Sequence, residues 1–334
     1  MNDHPGARLV SPSPHAHSGA SVQGIMRDVI IALSPALAAG IALFGFNAIR
    51  LTALCVCSCV VTEYVARRMM RRDPGITDLS AVVTGLLLAM NLPPTLPGWM
   101  AVVGSVFSIA VVKQMFGGIG YNLFNPALMG RCMLLVSFPV AMTSWALPRQ
   151  GFFVADAVTG ATPLGAWKTA LMAGLSPAGV LEQFPLTALI VGARPGCIGE
   201  TSVVALLLGG LYLLWRRCIS WHIPGAYLGT VAIFAMLLKQ ADPARNLEPL
   251  VQLCSGGLFL GALFMATDMV TTPVTRRGML LFGAGCGALT MVIRQWGGYP
   301  EGVSFSIVIM NALTPLINRF TRPRPFGHQR KVAP

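Results

Sequence analysis

Ten apolar runs dominate this chain, at about 28–47, 51–66, 79–92, 97–115, 123–141, 198–215, 222–238, 250–267, 278–293 and 303–318. Each is long enough to cross, or half cross, the hydrocarbon core of a bilayer, which takes roughly 20 helical residues. In that solvent every backbone N–H and C=O must find its partner inside the protein, so runs of this kind dictate helices. Charged residues make up 11% of the chain and hydrophobic ones 54%, whereas soluble domains carry roughly 25% charge. The expectation is an all-α polytopic membrane protein of about ten transmembrane helices.

Some of these helices are expected to be broken. The run at 79–92 stops at "NLPP", and the run at 123–141 opens with "FNPA". Proline cannot continue the hydrogen-bond ladder and frees backbone groups where it interrupts a helix. Free backbone at membrane depth is tolerated only where protein or a water-filled cavity covers it. Such ends therefore predict a conduit or a cofactor pocket.

The formal charge of +12 comes from 24 Lys and Arg against 12 Asp and Glu. With the N-terminus placed in the cytoplasm, sixteen basic residues fall on the inner side and seven on the outer, leaving Arg131 within the membrane. The positive-inside rule explains that bias without a nucleic-acid partner. Both termini are then cytoplasmic. The chain divides into a tail (1–25), a first membrane repeat (26–141), an outer-face loop (142–197), a second membrane repeat (198–318) and a basic tail (319–334). Five crossings on each side of the loop force the second half upside down, the plan of two inverted five-helix repeats. Two echoes support it: "TDLSAVVTGLLLAMNLPP" (77–94) with "GETSVVALLLGGLYLLWR" (199–216), and "GGIGYNLFNPALMGR" (117–131) with "GGYPEGVSFSIVIMNALTPLINR" (297–319). The polar first 25 residues lack the basic and apolar regions of a cleaved signal peptide.

The eight cysteines include no C-x-x-C pair. In "CVCSCV" a helix puts Cys55 and Cys59 on one face and Cys57 on the other, which suits small apolar filler. No iron–sulfur centre held by this chain alone, no disulfide framework and no metal site is expected. "HAH" at 15–17 offers only two histidines in a polar tail.

Intramembrane charges and amides are the default candidates for an ion path. They are Arg131 in the fifth run, Glu63 in the second, Asp268 closing the eighth, and Asp28 opening the first. Arg131 is expected to pair with a carboxylate or with the free carbonyls of a broken helix. Asn125 beside Pro126, and Asn311 near Pro315, are expected to mark cavity-lining breaks in matching places of the two halves. The competing role for all of them is structural, as buried polar groups that lock helices together.

One polar motif remains, "DAVTGATPL" at 156–164. Read locally, Thr159 or Thr162 can cap a short helix, Gly160 can turn the chain, and Pro163 suits the first helical position. Taken with the segment at 11–40, both echoes and "GCIGETSVVALLLGG", however, the whole order of motifs resembles the RnfD family, the D-type membrane subunits of the Rnf electron-transport complex. That family is related to NqrB of the sodium-pumping NADH:quinone reductase. The resemblance runs from about residue 11 to 320, and the short N-terminal tail favours Rnf.

The resemblance implies that Thr162 carries FMN through a phosphoester to its hydroxyl, with Asp156, Thr159, Gly160 and Ala161 as recognition context. It implies an exported flavin transferase that takes FMN from FAD, in agreement with an outer-face loop. Some relatives also hold riboflavin non-covalently. It implies further that the chain sits in a bacterial inner membrane with other Rnf subunits, relaying electrons between ferredoxin and NAD coupled to Na⁺ or H⁺ movement. The sequence has no G-x-G-x-x-G after a strand, no Walker A and no cysteine array, so NAD and ferredoxin are expected to bind elsewhere and no catalytic residue is assigned. "FMATDMVTTPVT" (264–275) would form a polar cytoplasmic mouth open to a flavin or a neighbouring subunit. A passive small-solute channel of urea-channel-like architecture and a pure assembly scaffold are the alternatives. Neither accounts for "DAVTGATPL".

Overall fold

A computed structural model describes residues 21–72, 76–148, 160–174, 184–243 and 245–322 of the chain. Every apolar run becomes helix. In the first half these are α1 (Val22–Phe44), α2 (Phe46–Met69), α3 (Ser80–Met90), α4 (Gly98–Val106) and α5 (Pro126–Ser137). A short helix outside the runs, α6 (Pro163–Met172), follows in the central loop. The second half holds α7 (Val203–Trp215), α8 (His222–Ala241), α9 (Pro249–Cys254), α10 (Leu258–Leu260), α11 (Arg276–Trp296) and α12 (Val303–Thr321). Two of these run on in π geometry, α4 through Phe107–Gln114 and α10 through Gly261–Met265. Among the described residues, five helices are long and apolar enough to cross a membrane: α1, α2, α8, α11 and α12. Four crossings are short, and the eighth is assembled from α9, α10 and the π turn. The chain is an all-α, multi-pass membrane protein.

Local chemistry sets the ends. Ser21, Asn125, Ser202 and Thr275 each cap a helix by accepting a backbone N–H on the side-chain oxygen, satisfying donors that no turn of helix precedes. Pro126 and Pro249 open α5 and α9 at a position whose N–H has no intrahelical partner anyway.

Side-chain bonds between distant elements sort into two faces. On one face, Asp28 at the start of α1 accepts from Tyr212 and Arg216 at the end of α7. Arg72 after α2 donates there to Gly117 O after α4, and Thr275 and Thr321 join the start of α11 to the end of α12. On the other face, Thr95 reaches Ser144 O and Gln295 reaches Asn246. We call these the terminal face and the loop face. Each crossing reverses the last. α3 leaves the terminal face, and the α9–α10 segment runs back toward it, as inversion of the second half requires.

That order corrects one echo. The sequence pairs α3 with α7, the third crossing with the sixth, whereas two sets of five pair the third with the eighth, α9–α10. The echo of α5 with α12 joins fifth to tenth and fits. A second correction concerns Asn311 and Pro315. No break occurs there: α12 runs unbroken through Pro315. The proline only deprives the Asn311 carbonyl of its donor four residues on, one lost bond that a long packed helix tolerates. Cys55 and Cys59 are buried and Cys57 is exposed, as the helical spacing predicts.

One large core joins both halves. A separate small core, made by Leu164, Trp167, Leu189, Leu247 and Val251, lies on the loop face beneath α6.

Candidate functional site

The broken ends meet in the middle of the protein. Past the last turn of α3, Asn91 Nδ2 donates back to Leu87 O at 2.7 Å and touches Met265 Sδ at 3.4 Å. Its carbonyl accepts from Cys197 Sγ at 3.1 Å. Asn125 caps α5 through Oδ1 and sends Nδ2 to Met265 O at 3.4 Å. These amides satisfy the backbone that helix breaks leave free.

Arg131, two turns into α5, lies against this junction and is buried. Its Nη1 donates to Asn91 Oδ1 at 2.7 Å and lies 3.7 Å from Glu200 Oε1. Its Nη2 pairs with Glu301 Oε2 at 2.6 Å. Two further buried arginines line the same region. Arg194 Nη2 donates to Glu200 O at 2.9 Å. Arg294, near the end of α11, reaches into the gap between α9 and α10 and binds Gln252 O at 2.7 Å and Ser255 O at 3.0 Å. Three guanidinium groups thus face two carboxylates. Among the described residues, Arg131 Nε, Arg194 Nη1, Arg294 Nε, Glu200 Oε1 and Glu301 Oε1 have no hydrogen-bond partner. A cavity of about 30 Å³ opens beside the pair and is lined by Arg131, Glu301, Thr143, Trp145, Tyr299 and Ser304 among others.

A second charged cluster lies toward the terminal face. Glu63 accepts from Lys113 at 2.7 Å, Arg67 at 2.7 Å and Gln114 at 2.9 Å. Lys113 also donates to Ser80 Oγ at 2.6 Å, and Asp78 accepts from Arg67 at 3.2 Å and from Ser80. Lys113, Ser80, Asn122, Asn125 and Asp268 line an adjoining, mainly apolar cavity of about 110 Å³.

The loop motif sits above the Arg131 cluster. Thr162 is the N-cap of α6, its Oγ1 accepting from Gly165 N at 3.1 Å, and it is only 4% exposed. Gly160 donates to Trp145 O at 2.9 Å, so the motif is bonded to the wall of the smaller cavity. A Cβ on Gly160 would come within 3.0 Å of Leu147 and 3.3 Å of Pro195, which gives the glycine a packing reason of its own. Leu164 packs on Gly256, itself beside Arg294 and Glu301. Trp167 Nε1 donates to Arg245 O at 3.0 Å, and Lys168 Nζ to Arg294 O at 2.7 Å. Burial lowers the Lys168 pKa from the ordinary lysine value, because the charged form loses water. α6 is therefore a roof over the cluster.

Residues 9–327 match the family model described as NQR2, RnfD, RnfE. The chain belongs to that family. It is 50% identical, over 95% of both chains, to the D-type subunit of the Na⁺-translocating ferredoxin:NAD⁺ oxidoreductase complex of Acetobacterium woodii. It is 46% identical, over 96% of both, to the D-type subunit of the proton-translocating ferredoxin:NAD⁺ oxidoreductase complex of Clostridium ljungdahlii. The D-type subunit of the ion-translocating oxidoreductase complex of Escherichia coli K12 is 38% identical, over 96% of this chain and 99% of its own.

In this NQR2, RnfD, RnfE protein, the residues singled out from sequence separate into groups. Arg131 pairs with a carboxylate as expected and belongs to the loop-face cluster, while Glu63 belongs to the terminal-face one. Asn125 and Asp268 line the larger cavity. Asn311 is buried on α12, with neither side-chain atom bonded among the described residues. Gly160, Ala161 and Thr162 are described; Asp156 and Thr159 lie outside the described residues. The sequence reading missed Glu200, Glu301, Arg194, Arg294, Asn91 and Lys113 as site residues. A usable signal existed for the two acids: each sits in a Gly-rich entry to an apolar run, "GCIGE" and "GGYPEG".

Proposed function

We propose that this chain is the D-type membrane subunit of a redox-driven, ion-translocating ferredoxin:NAD oxidoreductase complex, carrying FMN as a phosphoester on Thr162. What supports it most directly is the placement of Thr162 at the head of α6, above the Arg131–Glu200–Glu301 cluster. The chemistry of the position fits the group. A threonine hydroxyl supplies the ester oxygen, and the N-terminus of a ten-residue helix presents a positive dipole end to a phosphate, with the Gly165 amide released once Thr162 turns outward. The packing fits only after Thr162 turns outward, since its hydroxyl is now buried. Bound there, the flavin supplies electron transfer in single steps.

The chain's own residues have three tasks in this reading. Trp167 and Lys168 hold α6 on the loop face. Arg131 clamps Asn91, Glu200 and Glu301, and so joins the broken ends of the two halves. Arg194 and Arg294 donate to free backbone carbonyls and leave the cluster with a surplus of positive charge, complementary to an anionic phosphate. A second, non-covalent riboflavin would take the larger cavity, where Lys113, Ser80, Asn122 and Asn125 offer polar contacts around an apolar lining.

The loop face is outside and both termini are cytoplasmic in this reading, which puts Thr162 on the side of a bacterial inner membrane where an exported flavin transferase works. The two relatives of 50% and 46% identity carry different coupling ions in their names, so overall similarity does not choose between Na⁺ and H⁺. A passive conduit for a neutral solute is disfavoured, because five charged side chains lie at the junction of the broken helices. The test is ultraviolet fluorescence of membranes separated in SDS, from cells that contain the transferase. A band at the 35.4 kDa mass of the chain is expected, and Thr162→Ala should remove it. A wild type without a band, or a band that persists in Thr162→Ala, sinks the assignment.

A further inference from the structure

The acceptor hydroxyl is stored in the wrong place for an enzyme to reach. Thr162 is 4% exposed and its Oγ1 already holds the Gly165 amide. Gly160, two residues before it, is bonded to Trp145 O and wedged between Leu147 and Pro195. Two residues after it, Leu164 is 1% exposed in the small core beneath α6. A transferase has to enclose the acceptor and its neighbours, and in the docked arrangement Ala161 is exposed whereas Thr162, Pro163 and Leu164 are buried.

What holds α6 down is separable from the rest of the fold. Its core of Leu164, Trp167, Leu189, Leu247 and Val251 is distinct from the large core that joins the membrane halves. Trp167 is fully buried there and donates to Arg245 O, and Lys168 donates to the last carbonyls of α11. A small core apart from the main one is the attribute of a unit that opens at less cost than the whole protein.

We propose that flavin is transferred to Thr162 only while α6 is lifted from the loop face, so that attachment precedes, or transiently reverses, the docking of α6 over the Arg131 cluster. The proposal rests on the assignment of Thr162 as the flavin site. In the transfer, the Thr162 Oγ–phosphorus bond forms as the bond between that phosphorus and the AMP oxygen of FAD breaks. AMP leaves with the bridging oxygen, and the hydroxyl proton passes to base in the transferase or solvent. No oxidation or reduction is involved. The rate then scales with the lifted fraction, which any weakening of the small core raises.

The experiment uses the full chain, made without transferase, purified in detergent and checked for a monodisperse elution profile. It is mixed with purified flavin transferase and FAD, and the growth of covalent fluorescence is followed on SDS gels. Trp167→Ala should be labelled about tenfold or more faster than wild type, and Lys168→Gln by a smaller factor. Leu247→Ala removes part of the wall beneath α6 without altering α6 itself, so a faster rate there reports docking and not a changed acceptor sequence. If Trp167→Ala fails to fold, the other two variants decide. Equal rates in wild type and variants, or slower rates in the variants, overturn the proposal. Absence of label in every protein, with a transferase active on another acceptor, overturns the flavin assignment beneath it.

Discussion

The two charged clusters of this protein are built on opposite plans. The terminal-face cluster is drawn from the first half alone: Glu63 and Arg67 on α2, Asp78 and Ser80 at the start of α3, and Lys113 and Gln114 at the end of the α4 segment. Its two acids meet two bases, and Glu63 takes three donors within 2.9 Å. The loop-face cluster spans both halves, from Arg131 on α5 to Arg194 and Glu200 before α7, Arg294 on α11 and Glu301 before α12. It is unequal in charge and leaves five buried polar atoms unbonded among the described residues. A satisfied buried network rigidifies and specifies; a partly satisfied one is retained at a cost and needs another reason. The first cluster reads as a staple. The second carries unbonded groups that helix joining alone does not require, which makes it the cluster to test for a role beyond structure.

The sharpest break of that comparison is Arg131→Met. It strands Glu200 and Glu301 as buried, unpaired carboxylates and removes the donor to Asn91, and loss of one member of a buried pair costs about 3–5 kcal/mol. Thermal unfolding in detergent should show the largest fall of any single substitution here, and adding Glu301→Gln should restore part of it. Glu63→Gln should cost less, about 1.5–3 kcal/mol for a lost charged hydrogen bond, because Lys113 keeps Ser80 and Arg67 keeps Asp78. If Glu63→Gln proved the more damaging, the division into staple and working cluster would be wrong. Asn91→Ala comes next, at about 1–3 kcal/mol for donor and carbonyl groups left dry. Its effect should shrink in the Arg131→Met background, where one of the bonds is already gone.

How much of this was legible in the sequence depends on range. The ten crossings were readable because a bilayer permits so few backbone solutions, and their ends agree with the helices within a few residues. The breaks at "NLPP" and "FNPA" were readable because proline and asparagine act locally. Asn311 with Pro315 misled for the same reason: a proline in the last turns of a long helix removes one bond, and neighbours decide whether the helix stops. Glu63 and Arg67, four residues apart on one helix, were readable as a pair, but the long-range charge partners were not. Arg131 and Glu301 are 170 residues apart, and nothing in local periodicity says which buried base will face which acid. Thr162 shows both sides. Its capping role follows from Thr-Pro at a helix start, but the docking of the helix it caps comes from a small core that Leu164 and Trp167 form with Leu247 and Val251, far along the chain.

The smallest predicted effect has the opposite sign. Asn311 is 1% exposed on α12, and neither Oδ1 nor Nδ2 has a partner among the described residues. A dry amide is a standing cost of about 1–3 kcal/mol. Asn311→Leu, close in volume, is therefore expected to raise stability by about 1 kcal/mol, as a small upward shift of the unfolding midpoint. A destabilised variant would mean that the amide is bonded in the assembled membrane, and Asn311 would then join the satisfied side of the comparison. A stabilised variant invites a second measurement, ion uptake by vesicles driven by ferredoxin and NAD. Loss of uptake in a protein that folds better would assign the amide to the ion path, since a polar group kept against stability has to be repaid by something it does. Unchanged uptake would remove Asn311 from that path and leave the loop-face cluster as the place where the two halves can exchange a charge.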